Sequence, residues 1–295
     1  MAVRIGISPI TWTNDDMPEL GGTTSLETCL TEAKQAGYAG LELGNKFPRD
    51  ATILGPIMRT HGLDVVSGWH SGLLVERSAQ AEITALQPHL ELLEATGCKV
   101  MVFAETSGSV AGKRDTPVAR RPRLDESQWP EFLARLDKVA RYLAEAGVRM
   151  AFHHHMGTVI ERADEVDRMI AGTSDAVGLL LDTGHFTYAG DDPSAVLNRH
   201  IRRVSHVHCK DVRLAVLGKA KTAQSSFLNA VLEGVFLRPA TVVSPIPRSS
   251  PSSRGNDTTG GWSSRRSRTR PRRPIRSPMP RSGTATSPPW RAPPA

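Results

Sequence analysis

The stretch Ala146-Gly147-Val148-Arg149-Met150-Ala151-Phe152-His153-His154-His155 carries the reading of the fold. A helical pattern over Glu131–Ala146 stops at a glycine, the residue that most readily takes the left-handed turn closing a helix. The glycine hands directly into a short apolar run, Val148–Phe152, and that run ends in three imidazoles. The same hand-over recurs at Ala36-Gly37-Tyr38 and Thr96-Gly97-Cys98. Outward from it, further apolar runs lie at Val3–Ser8, Tyr38–Leu43, Leu63–Gly68, Lys99–Ala104, Val177–Leu181 and Val204–His208. Amphipathic stretches at Ser25–Ala36, Ala79–Thr96, Ala163–Ala171 and Pro193–His200 separate them. The runs are continuous rather than alternating, as parallel strands covered on both faces require. Seven βα units at this spacing predict an α/β protein with a (β/α)₈ TIM barrel whose strand eight is missing or replaced by a disordered tail. A doubly wound open sheet competes. No Gly-x-Gly-x-x-Gly follows the first strand, which counts against a dinucleotide-binding version of it.

Charge divides the chain in two. The 295 residues carry a net charge of +7, but residues 237–295 hold twelve Arg, no Lys and one Asp, leaving −4 for the part before them. The body is mildly acidic, so nucleic-acid binding by it has no support from charge. The predicted division is a barrel domain over 1–236 and an Arg/Pro/Ser-rich tail over 237–295. Cys29, Cys98 and Cys209 are far apart and exclude a disulfide framework, which makes a reducing cytoplasm the expected location. No apolar run approaches the roughly 20 residues of a membrane span, and the opening Met-Ala-Val-Arg-Ile-Gly-Ile lacks a signal-peptide layout.

The polar residues at the strand ends point to chemistry. Following each run to its C-terminal end gives Glu42, His70, Glu105, His153 to His155, Asp182 with His185, and His206 with His208. In a barrel these ends converge on the face where active sites of this architecture sit. Strand periodicity puts His153 and His155 on one side and His154 on the other. Imidazoles and a carboxylate from adjacent strands make a mixed N/O set suited to Mn, Co, Zn or Fe(II). A lone histidine is more often hydrogen-bonded packing than a ligand; three adjacent strand ends together favour a metal. Glu42 can supply a base, and Lys46 in the loop after it a substrate contact. His70 can bond a sugar hydroxyl with Trp69 as an apolar wall. Arg213 can hold an anionic enolate.

At these residues the sequence resembles a known family. Ile7-Ser8-Pro9-Ile10-Thr11-Trp12-Thr13-Asn14-Asp15-Asp16-Met17-Pro18, Gly44-Asn45-Lys46-Phe47-Pro48, His153-His154-His155-Met156-Gly157-Thr158, Leu181-Asp182-Thr183-Gly184-His185 and His206-Val207-His208-Cys209-Lys210-Asp211 resemble the inosose dehydratases of myo-inositol catabolism. These belong to the xylose-isomerase-like barrel superfamily, and the resemblance runs from about residue 3 to Phe236. It implies dehydration of 2-keto-myo-inositol to a 3,5/4-trihydroxycyclohexane-1,2-dione, a hydro-lyase activity. It also implies one divalent metal, Mn or Co, with glutathione associated with the family's assay. Asp182 and His208 are then the firm ligands. His153 stands where superfamily relatives have Glu, with His155 as the substitute candidate, and a fourth ligand is a Glu on strand eight that this chain lacks. Glu42, His155 and Lys210 are the candidates for proton transfer; Lys46, Trp69, His70, His185 and Arg213 are the candidates for substrate contact. The expected partner is a small polyol ketone, with no membrane, and a homo-oligomer stays open.

Three other readings compete. A ketose or inosose isomerase or epimerase shares the metal and the enediolate but loses no water. A metal-dependent AP endonuclease needs more ligands and a basic groove, against the body's −4. A non-enzymatic protein whose tail engages nucleic acid is the third. The tail, however, has a simpler expected origin in translation out of frame of GC-rich DNA. Codons for Gly260–Arg270 exist that, shifted, read Trp-Leu-Val-Val-Glu-Ala-Glu-Gln-Asp-Pro, which resembles the family's eighth strand with its missing Glu. A frameshift near residue 237 is therefore expected, leaving strands one and seven as open edges, a poorly folding chain and an incomplete ligand set.

Overall fold

In the computed structural model, which describes residues 3–245, the expected units are in place. The order is β1 (Val3–Ile7), α1 (Leu26–Gln35), β2 (Gly40–Leu43), α2 (Ala51–Thr60), β3 (Asp64–Gly72), α3 (Ala79–Ala95), β4 (Val100–Glu105) and α4 (Trp129–Glu145). It continues with β5 (Arg149–His153), α5 (Ala163–Ala171), β6 (Val177–Asp182), α6 (Thr183–Ala189), α7 (Pro193–His200), β7 (Val204–Val212), α8 (Leu214–Thr222), α9 (Phe227–Leu232) and β8 (Phe236–Pro245). The strands close into a barrel in sequence order. Gly97 and Gly147 adopt φ of +74° and +73°, the left-handed conformation that stops α3 and α4 before the next strand. At the other helix ends, Ser25, Asp50, Ser78 and Asp182 each accept a hydrogen bond from a first-turn backbone N–H.

Strand periodicity sorts the side chains into two cores. Val100, Val102, Ala151 and Leu180 pack inside the barrel with Trp69 against them, while Phe103, Phe152, Leu179 and Leu181 face the helices in the larger outer core. Since residues i and i+2 share a face, Ala151 carries His153 inward and Leu180 carries Asp182 inward. Cross-strand register extends this to β7, where Leu180 pairs with His206 and Asp182 with His208.

The last strand departs from the expected pattern. β1 to β7 pair in parallel, but β8 runs antiparallel to both β7 and β1. The expected open edges are absent; the expectation overlooked the β-branched run Thr241-Val242-Val243, which suits a strand and pairs on both sides. Pro239 lies at the irregularity where Leu237 pairs with Asp211 and Thr241 with Cys209, a place where a residue without N–H is tolerated. Direction follows from the connection. Arg213 N donates to Val235 O at 2.8 Å, so the excursion through α8 and α9 returns the chain to the end it left. The chain divides into two units, Met1–Arg248 and Ser249–Ala295. The second lies outside the described residues, as does most of the predicted tail. Among the described residues no helix is long and apolar enough to cross a membrane, and Cys29, Cys98 and Cys209 are free thiols.

One consequence for stability lies outside the barrel. His89 on α3 packs over Gly68, where even a methyl group would meet its ring, and burial, with Arg49 adding, pulls it from 6.5 down to about 4. It is neutral in the fold and takes up a proton on unfolding, so its contribution is intact above about pH 6.5 and lost as pH falls toward about 4. The stability difference between wild type and His89→Leu in urea is therefore expected to shrink between pH 7.5 and pH 4.5. A difference independent of pH would overturn this assignment.

Candidate metal centre

Asp182 ends β6 at the barrel axis with its carboxylate fully buried. Oδ1 accepts the backbone N–H of His185 at 2.9 Å, capping α6. Oδ2 faces His153 Nε2 at 3.2 Å, His208 Nδ1 at 3.6 Å and His185 Nδ1 at 3.8 Å, and it accepts a hydrogen bond from Lys210 Nζ. Burial opposes the charge of Asp182, but His185, Lys210 and the bonds from His153 and His208 outweigh it and hold the carboxyl well below its ordinary range. His208 turns its other nitrogen, Nε2, to Glu42 Oε2 at 3.2 Å, and Ser67 Oγ donates to the same oxygen at 2.7 Å. Burial works against ionisation of Glu42 too, yet His208, His206 and Ser67 together bring it to about 2. Held between two carboxylates, His208 is pushed up despite its burial, chiefly by Glu42.

The remaining rim imidazoles are shifted the other way, downward. Burial is the leading cause of the lowered values of His153, His155 and His185. His155 and His185 meet edge to face at 4.4 Å, and Trp69 sets its edge against His153 and His155 at 5.3 and 5.9 Å. His154, on the opposite side as expected, stacks on Phe186 at 3.6 Å and bonds Glu161 O through Nδ1.

A divalent cation fits this donor set. One ligand atom each from His153, Asp182 and His208 lie within 4.8 Å of one another. His153 turns Nε2 toward Asp182 Oδ2, so Nε2 is the donor its ring offers here. Two imidazoles and a carboxylate suit Zn, Mn, Co or Fe(II). His153, His155 and His185 form a second convergent group, and Glu42, His206 and His208 a third.

The geometry brings together most of the predicted site residues and leaves three apart. His153, Asp182, His208, Glu42, His155, His185, Lys210 and Trp69 cluster at one end of the barrel. His70 turns outward, because it shares the face of Gly68 rather than Trp69, and bonds Glu82 Oε1 on α3 at 2.6 Å. Lys46 Nζ donates to Gly22 O, and Arg213 is exposed and donates to Gly234 O, so both tie loops together. Glu105 likewise accepts Leu74 N and Ser107 N rather than facing the axis. Ser67, which fixes Glu42, was missed; the β3 register that pairs it with Glu42 is the signal that exposes it.

The barrel and the cation-suited rim define the class, and the chain belongs to the Xylose isomerase-like TIM barrel family, which it matches over residues 30–231. Among individual proteins it is 50% identical over 240 residues to the rhizopine catabolism protein MocC of Rhizobium meliloti, covering 81% of this chain and 74% of MocC. It is 42% identical over 239 residues to inosose dehydratase of Geobacillus thermodenitrificans, covering 80% of each. The resemblance to inosose dehydratases carried by the motifs is thereby borne out. Among solved structures, the IolI protein with a bound zinc atom has a TM-score of 0.52 at 16% identity, covering 70% of this chain and 73% of that one, and shares its fold.

Proposed function

We propose that this site is a metal-dependent hydro-lyase centre that dehydrates 2-keto-myo-inositol to the trihydroxycyclohexanedione, with Mn or Co as the ion. The observation that carries the reading is the convergence of His153, Asp182 and His208 on one point at the barrel axis, in a chain similar to inosose dehydratases over four-fifths of its length. When bound there, a divalent ion supplies Lewis acidity toward the substrate ketone and a neighbouring hydroxyl.

The protein's own groups divide the remaining work. His155 Nδ1 lies on Met156 O at 2.9 Å and therefore carries the proton, leaving Nε2 of the neutral ring as an acceptor. We assign Nε2 the removal of the carbon-bound proton beside the ketone. Lys210 Nζ, anchored on Asp182, is the donor that protonates the departing hydroxyl. Glu42 is tied to Ser67 and His208 and its low value makes it a weak base, so it orients His208 instead of moving the proton. Trp69 walls the ring from the side of β3. The test is incubation of the purified chain with 2-keto-myo-inositol and Mn²⁺ or Co²⁺, with and without glutathione, following the dione by its absorbance. Metal-dependent dione formation supports the reading. Conversion to an isomeric inosose without loss of water overturns it in favour of the isomerase or epimerase alternative.

We further propose that residues from about 237 onward are translated out of frame, which accounts for an antiparallel β8 in place of a parallel strand bearing a Glu. The nucleotide sequence across codons 236–238, read in both frames, tests this directly. A continuous unshifted frame with no family-like alternative overturns it.

A further inference from the structure

His206 lies on β7 beneath His208, fully buried, and neither of its ring nitrogens has a hydrogen-bond partner among the described residues. Every other inward imidazole of the rim has at least one. A neutral histidine brings one donor and one acceptor with it, and nothing among the described residues uses either. The ring is aimed at chemistry nonetheless: one ligand atom each from His206, His208 and Glu42 lie within 4.8 Å of one another, and all three residues are buried. Two imidazoles and one carboxylate are a zinc-type donor set that leaves a position open.

We propose that Glu42, His206 and His208 form a second divalent-cation site, of zinc type, deeper in the barrel than the centre at Asp182. His208 joins the two sites, because its Nδ1 faces Asp182 at 3.6 Å and its Nε2 faces Glu42 at 3.2 Å. Were both sites filled, His208 would offer one ring nitrogen to each, its ring protons passing to solvent. The position has a structural meaning. Glu42 stands on β2 and both histidines on β7, and the strands between them are β1 and the antiparallel β8. An ion here clips the barrel across the seam where the last strand runs the other way, and it takes up the orphaned nitrogen of His206. This inference does not depend on the dehydratase reading.

The experiment uses the full chain, stripped with a chelator and re-equilibrated with zinc, with bound metal counted by mass spectrometry and the ¹¹³Cd-loaded form examined by NMR. Wild type is expected to bind two equivalents and show two cadmium resonances. His206→Phe and Glu42→Gln each are expected to remove one equivalent and one resonance, while Asp182→Asn removes the other. Glu42→Gln keeps the side-chain shape and serves if the phenylalanine variant does not fold. A wild type with one equivalent that is lost in His206→Phe but kept in Asp182→Asn supports this site and overturns the metal at Asp182. Unchanged stoichiometry in folded His206→Phe or Glu42→Gln overturns the second site.

Discussion

Asp182→Asn is expected to abolish metal retention at the rim and to lower kcat/KM by about 10³-fold or more, since Lewis-acid assistance is worth several kcal/mol of transition-state stabilisation. Asparagine is chosen because it separates charge from structure. Its side-chain oxygen can still accept from His185 N and cap α6, a position at which Asn and Asp rank together. What disappears is the one negative charge on which His153, His185, His208 and Lys210 converge. The Lys210 ammonium is then left without its carboxylate. Stripping one partner from a buried pair costs up to about 3–5 kcal/mol, and Lys210, with 14% of its side chain exposed, recovers part of that by turning to water. Activity, bound metal and the thermal melt must be read together. Loss of activity and of the equivalent of metal held at Asp182, with a cooperative melt, identifies a ligand, whereas full activity or full metal content would falsify the assignment.

Most of this site was legible because it follows from period-two geometry. Apolar runs marked the strands, and each inward position could be counted from the core residue two before it, as Leu180 leads to Asp182 and Ala151 to His153. Counting also explains the failures. His70 is one residue from Trp69, so it must face the helices, and its meeting with Glu82 depends on how α3 packs over β3. α2 was not read, because Gly55 and Pro56 interrupt its pattern, yet Pro56 sits inside the helix. α6 goes unmarked in the sequence pattern, since a seven-residue helix has too few turns to show a period. The closing strand was the hardest part: its short β-branched run, Thr241-Val242-Val243, sits in a Pro- and Arg-rich segment that masks it, and the two edges of β1 and β7 complete the reason for it to form.

Arg121→Met is expected to destabilise the protein by about 3–5 kcal/mol, the cost of removing one partner from a buried ionic network. The guanidinium is 1% exposed. It donates to Glu165 Oε1 at 2.6 Å and to Thr158 O at 3.0 Å, and its Nε faces Glu161 Oε1 at 3.4 Å. Both carboxylates then grip backbone: Glu161 accepts Gly157 N at 2.9 Å, and Glu165 accepts Glu161 N and Arg162 N. Gly157 stands at φ +79° with Ala111 packed close behind it, so the loop after β5 has no slack of its own. Methionine fills the space of the arginine stem, yet it leaves two carboxylates and a carbonyl facing a thioether. The loop that opens is the one carrying His154 and His155, so kcat should fall along with the urea midpoint. Arg168→Met provides the scale. Its forked pair with Glu126, at 2.6 and 2.7 Å, lies at the surface beside Trp129, and losing it should move the urea midpoint far less, because solvent screens an exposed pair. Equal stability of the two variants would mean that Arg121 and its carboxylates do not hold the loop, and the rim histidines would need another source of order.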